Sequence, residues 1–231
     1  MAIEWPITIL KPQSISPPFL APRSLSGGAS LSGRMQISAS DAGVWVCSLN
    51  SIPLYNRQTV LTWRAIAARS EGRLYPIDLP LFRYELEYSA QDTGYDYGAA
   101  VTPIPFSDES YFDDGTGFVG GLTEVTSNGA AALRATSMTF AVVTADRIEP
   151  GQIFGINHAT KGPRWYQIQT YDYDTFAVTF IPPLREAVAD GDVITFDQPP
   201  CRMRLATDNE MKIELQAGSF GTASVNFIED L

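Results

Sequence analysis

The sequence is poor in the residues that carry chemistry. It holds one histidine, His158, and two cysteines, Cys47 and Cys201. Two cysteines so far apart make no disulfide framework, and no Cys-x-x-Cys pair is present to hold zinc. Gly-x-Ser-x-Gly, Walker and His-Glu-x-x-His signatures are absent, so no familiar nucleophile, phosphate or metalloprotease site is written in the chain. No cofactor is expected. Charge is also scarce: Asp, Glu, Lys and Arg make 18% of the chain, against roughly 25% in a typical soluble protein. Basic charge is scarcest, with 16 Lys and Arg against 26 Asp and Glu and a net charge of −10. That balance argues against a binder that tracks nucleic-acid phosphates on a basic surface. No run approaches the roughly 18 apolar residues that would cross a membrane. The opening Met1-Ala2-Ile3-Glu4-Trp5-Pro6 has neither a basic stretch nor a long apolar one, so no signal peptide is expected, and synthesis in a cytoplasm is.

What is abundant is turn chemistry. The 231 residues include 18 glycines and 16 prolines, with 45% hydrophobic residues. A chain punctuated at that density, yet apolar enough to fold, reads as many short strands joined by turns. Residues 1–34 carry Pro6, Pro12, Pro17, Pro18 and Pro22. Helix is disfavoured there, and order requires pairing at an edge or draping over a neighbour. Alternation at 35–39 and the β-branched, aromatic run 44–49 read as strands. Residues 56–71 read as the one helix, capped by Asn56, with an apolar stripe of Val60, Trp63 and Ala67 flanked by Leu61, Ala65 and Ala68, and with Gly72 as its left-handed stop. Strand-like segments return at 130–136, 137–143, 152–156, 165–169, 176–180, 193–196, 203–205, 211–215 and 223–227, a spacing that suits a meander or small barrel. Trp45 and Trp63 read as core, Trp165 as a strand residue, and Cys47, in its apolar run, as a buried thiol.

Candidate sites are few. His158 lies between two strands and reads as a solvent-exposed turn residue with no nucleophile beside it. Asp108-Glu109, Asp113-Asp114 and Asp172-x-Asp174 are the carboxylate pairs that a glycosidase or a calcium site would use, but no calcium-loop spacing accompanies them, and solvated loop charge is the plainer reading. Residues 89–121 form a long acidic and aromatic stretch. Its Tyr95, Tyr97, Tyr111 and Phe112 are the candidate ligand-binding residues, as platforms for sugar rings, with packing inside the loop or against another subunit as the alternative.

One ordered series of segments carries more. It runs Arg147-Ile148-Glu149-Pro150-Gly151-Gln152-Ile153, Arg164-Trp165-Tyr166-Gln167-Ile168, Phe180-Ile181-Pro182-Pro183-Leu184-Arg185, Ala189-Asp190-Gly191-Asp192-Val193, Met203-Arg204-Leu205 and Phe220-Gly221-Thr222-Ala223-Ser224-Val225. In that order it resembles the distal-tail family of minor tail proteins of long-tailed bacteriophages. Gln152 stands where that family carries Asp, and residues 89–121 are longer and more aromatic. In physical terms Pro182 and Pro183 stop a strand, Arg185 offers a rigid fork for carbonyls or a carboxylate across the turn, and Asp190-Gly191-Asp192 makes a tight turn. These devices specify folding and no reaction.

The expected fold is mainly β: a β-sandwich-like module with one helix plus an inserted small β-barrel. Residues 1–88 with 198–231 would form the module, because 203–227 alternates like its strands after the Pro199-Pro200 hinge, and residues 89–197 would form the barrel with the acidic-aromatic loop. The resemblance implies a structural, non-enzymatic virion protein at the tail tip. It implies a ring, a hexamer, that joins the tail tube to the hub, fibres or receptor-binding parts. Its partners would be copies of itself, the tube protein and hub and fibre proteins, with no membrane and with DNA passing an acidic lumen unbound. A carbohydrate-binding module contacting the host surface is the alternative. A glycan-degrading enzyme using Asp113 or Asp114 ranks last.

Overall fold

The computed structural model describes residues 2–26, 37–82, 124–145, 148–215 and 221–231. The chain is mainly β with one helix among the described residues. It divides into two units: Met1–Pro80 with Lys161–Arg164 and Pro200–Leu231, and Leu81–Thr160 with Trp165–Pro199.

The first unit is built on a six-stranded mixed sheet. Its strands are β1 (Ile3–Glu4), β2 (Ser14–Ser26), β3 (Ile37–Leu54), β4 (Ile77–Pro80), β11 (Pro200–Leu205) and β12 (Gly221–Glu229), in the order β1-β4-β11-β12-β3-β2. β1 runs parallel to β4, and the other neighbours are antiparallel. The C-terminal strands therefore lie between β4 and β3. β2 takes the end position, where proline is tolerated. Its register against β3 shifts between Ser16 and Phe19, and again between Ala21 and Arg23. These shifts fall on Pro17-Pro18 and Pro22, the residues with no N–H to give to the ladder.

Helix α1 (Arg57–Ser70) covers this sheet. Asn56 Oδ1 accepts from the Thr59 N–H at 2.8 Å, and Thr59 Oγ1 accepts from the Asn56 N–H at 3.3 Å, a reciprocal cap. Arg69 sits in the last turn, where a cation suits the carbonyl end. The buried face is Thr59, Val60, Trp63, Ile66 and Ser70. This corrects the expected stripe: Leu61, Ala65 and Ala68 face solvent, and Ile66 takes the inward place. The stop is also displaced by one residue, with Glu71 left-handed at φ 44° and Gly72 following at φ 67°. Trp5 meets Trp63 edge-on at 6.2 Å and Phe227 at 5.4 Å, and Trp63 Nε1 donates to Met211 O at 2.9 Å. Each such fully buried aromatic contributes about 1.5–3 kcal/mol of burial energy.

The second unit is a closed barrel of β5 (Glu124–Ser127), β6 (Ser137–Thr144), β7 (Ile153–His158), β8 (Gly162–Tyr171), β9 (Ala177–Ile181) and β10 (Val193–Thr195), ordered β10-β5-β6-β9-β8-β7. β8 opens in the segment Lys161–Arg164 that groups with the first unit. β10 closes the ring by pairing β5 on one side and β7 on the other. Phe140, Phe154, Tyr166, Phe180 and Phe196 fill the interior, with Phe154 against the other four at 5.4–5.9 Å. Two expected strands are absent. Residues 130–136 reduce to one bridge, Ala131 to Val188, and residues 212–215 lie outside any strand after Met211, whose carbonyl is taken by Trp63.

Candidate functional site

Tyr95, Tyr97, Tyr111 and Phe112 lie outside the described residues, as do Asp108, Glu109, Asp113 and Asp114. Asp172 and Asp174 lie in the turn after β8, where Asp172 Oδ1 accepts from the N–H groups of Asp174 at 2.9 Å and Thr175 at 3.3 Å; most of the other polar candidates gather in three clusters.

The first cluster follows β9. The Ile181–Pro182 bond is cis, and Pro182 and Pro183 end the strand. Leu184, 1% exposed, is held by its N–H to Ala135 O at 2.9 Å and by its carbonyl to the Arg134 N–H at 3.0 Å. The Arg185 backbone N–H donates to the Tyr166 hydroxyl at 3.0 Å, and that hydroxyl lies 2.6 Å from His158 Nε2. His158 is 5% exposed, so its reading as a solvent-exposed turn residue is corrected. It is the last residue of β7, on the inward phase of Phe154 and Ile156. That alternation was the available signal, and the following turn masked it.

The Asp190-Gly191-Asp192 turn is the second cluster. Gly191 stands at φ 83°, a conformation glycine adopts without Cβ strain. Asp192 Oδ2 accepts from the Ala189 N–H at 2.7 Å, and Asp190 Oδ1 from the Gly129 N–H at 2.7 Å. Ser127, 2% exposed, donates its hydroxyl to Ala189 O at 2.6 Å and accepts from the Asp192 N–H at 3.0 Å. Both carboxylates are thus bound to backbone.

Third is a set of arginines in the first unit. Arg204 grips Asp230 with two nitrogens, at 2.6 and 3.1 Å, and turns its remaining nitrogen to the carbonyls of Arg73 and Leu74 after the helix. Arg202 grips Asp78 on the neighbouring strand at 3.0 and 3.3 Å, and that bond raises the arginine's pKa further. Sequence reasoning missed Arg164 and Glu229. Arg164 Nη1 lies 3.5 Å from Glu229 Oε1 with both side chains almost wholly buried. Arg164 also donates to the carbonyls of Arg202 and Lys161, while its Nε has no hydrogen-bond partner. Glu229 Oε2 accepts the Trp45 backbone N–H at 3.1 Å. The inward phase of β12, at 223, 225, 227 and 229, was the signal that pointed to Glu229.

Chemically, these clusters consume their polar groups in holding turns and strands. Cys47 is a free thiol whose pKa burial pushes up to about 12, so it stays protonated and unreactive. Among the described residues no group of three His, Cys, Asp or Glu side chains could hold a metal ion, and no helix is long and apolar enough to cross a membrane. Compared with protein-family models and with curated proteins, the chain matches none.

Proposed function

We propose that this chain is a structural virion protein of a phage tail tip, forming a ring that joins the tail tube to the hub, fibres or receptor-binding parts. The observation that carries the reading is the end of the first unit's sheet, which is open among the described residues. β2 has 13 residues and occupies the end of the strand order. Along β3, β12 pairs only from Val46 to Leu54, whereas β2 continues to Ile37. The ribbon beyond Trp45 is therefore two-stranded among the described residues. Such a ribbon is marginal in water unless something covers it. Phe19, opposite Val46 on β2, is 61% exposed and leaves an apolar ring on this edge strand.

A ring needs two different surfaces per subunit, and a long edge strand is one natural half of such a contact. The six-fold count, the tube, hub and fibre partners and the tail-tip location come from the family resemblance. The net charge of −10 suits a lumen that DNA traverses without sticking. Native mass spectrometry of the purified chain tests the reading. A closed oligomer, a multiple of 25.3 kDa, is expected, with gold-labelled antibody marking the distal tail end of the particle. A chain that stays single at every concentration, or label elsewhere on the particle, overturns it.

A further inference from the structure

The chain contains one Asn-Gly step, Asn128-Gly129, just past the end of β5. Both residues are exposed. Such a step can react with itself, because no Cβ hinders the approach of the glycine nitrogen to the asparagine side chain. Gly129 stands at φ 90°, and a Cβ built on it would meet no atom within 4 Å. The backbone angle, not the space, therefore calls for glycine here. Replacing residue 129 would remove the reactive step only by straining the turn.

The reaction is an intramolecular substitution. The Gly129 nitrogen gives up its proton and bonds to Asn128 Cγ. The Cγ–Nδ2 bond breaks, and the side-chain nitrogen leaves with that proton as ammonia. Water then opens the succinimide at either carbonyl, which leaves aspartate or isoaspartate at position 128. In the folded barrel the nucleophile is occupied: the Gly129 N–H donates to Asp190 Oδ1 at 2.7 Å. The flanking backbone is held as well. The Asn128 N–H donates to Thr139 O at 2.8 Å, the Ala131 N–H to Val188 O at 2.9 Å and the Ser127 N–H to Asp192 O at 2.9 Å, while Ser127 O accepts from the Gly191 N–H at 3.0 Å. Ring closure consumes the N–H that Asp190 holds, so it competes with this hydrogen bond and proceeds from the locally opened turn.

We infer that Asn128 is a latent modification site, converted to aspartate and isoaspartate through a succinimide with Gly129, and that the Asp190 carboxylate is the guard that keeps this site closed in the folded barrel. The two carboxylates of the Asp190-Gly191-Asp192 turn divide the work. Asp192 Oδ2 binds the Ala189 N–H inside its own turn, whereas Asp190 Oδ1 reaches across to the reactive step. A carboxylate suits that role, since a charged acceptor holds an N–H more firmly than a neutral one. The inference stands on the barrel alone and does not depend on ring assembly.

Peptide mapping of the full chain, aged in mildly alkaline buffer, tests it, with a urea-unfolded sample as reference. The readout is the mass gain of amide to acid in the peptide that holds Asn128, with isoaspartate detection beside it. Conversion should be about ten-fold or more slower in the folded chain than in the unfolded one. Asp190→Ala should speed conversion of the folded chain about three-fold or more. Asp190→Glu keeps a carboxylate but displaces it, and should fall between the two. In urea all three chains should convert at one rate, and near-UV circular dichroism identifies the folded samples. A parent chain that converts as fast folded as unfolded overturns the proposal. So does a folded variant of either kind that converts no faster than its parent; a slower one would make Asp190 a base that promotes the reaction.

Discussion

In the barrel, β10 pairs with β5 on one side and β7 on the other, so the ring of strands has no end. Among the described residues the sheet of the first unit stops at β1 and β2, and the two-residue β1 is far shorter than the 13-residue β2. The interiors differ as well. The barrel is filled by a cluster of phenylalanine and tyrosine rings, whereas the sheet unit buries an Arg164–Glu229 pair and ties neighbouring segments with Arg202 and Arg204. Closure satisfies the backbone from within. An open sheet edge leaves donors and acceptors for something else, and that contrast is why the proposed ring contacts fall on the sheet unit.

The contrast breaks first at the two interiors. Glu229→Ala leaves the Arg164 guanidinium buried without its carboxylate, and a loss of about 3–5 kcal/mol is expected. Phe154→Ala removes the ring that meets four others, again at a cost of about 3–5 kcal/mol. Urea denaturation checks both, and a change under about 1 kcal/mol at either site would contradict these packing assignments. Next in size is Asn56→Ala, which unmakes the reciprocal cap of α1. A loss of about 1 kcal/mol is expected in the same assay.

Smaller still is a local effect in the barrel turn. The Asp174 N–H, then the Thr175 hydroxyl and the Thr175 N–H, hold the Asp172 carboxyl below its ordinary range. A depressed folded pKa stabilises the turn above the unfolded value and ceases to do so as pH falls through the folded one. The Thr175 amide chemical shift should therefore show a titration step below the ordinary aspartate range, and Asp172→Asn should remove that step.

Much of this architecture was legible because period-two alternation and proline punctuation are local signals. The strands at 137–143, 152–156, 165–169, 176–180 and 223–227, and the capped helix, follow from them. Misreadings arose where tertiary contacts overrode the local pattern. His158 sits at a strand end next to turn residues, yet its ring closes on Tyr166 inside the barrel unit. Residues 211–215 alternate like a strand, but Met211 is claimed by Trp63. Ile66 was passed over because alanines at 65, 67 and 68 blurred the helical stripe. No sequence pattern marks the left-handed backbone of Phe176, at φ 56°. The buried pair was hidden for another reason: Arg164 and Glu229 are far apart in sequence, and a charged residue in a strand normally reads as outward.

The most direct test is the native mass of the chain beside that of Phe19→Lys, a substitution on the exposed edge of β2 that should alter folding stability by no more than about 0.5 kcal/mol. The expected result is a closed oligomer for the parent chain and single chains of 25.3 kDa for the variant, both fully folded. A folded variant that assembles as its parent does would contradict the claim that this edge is where the copies meet.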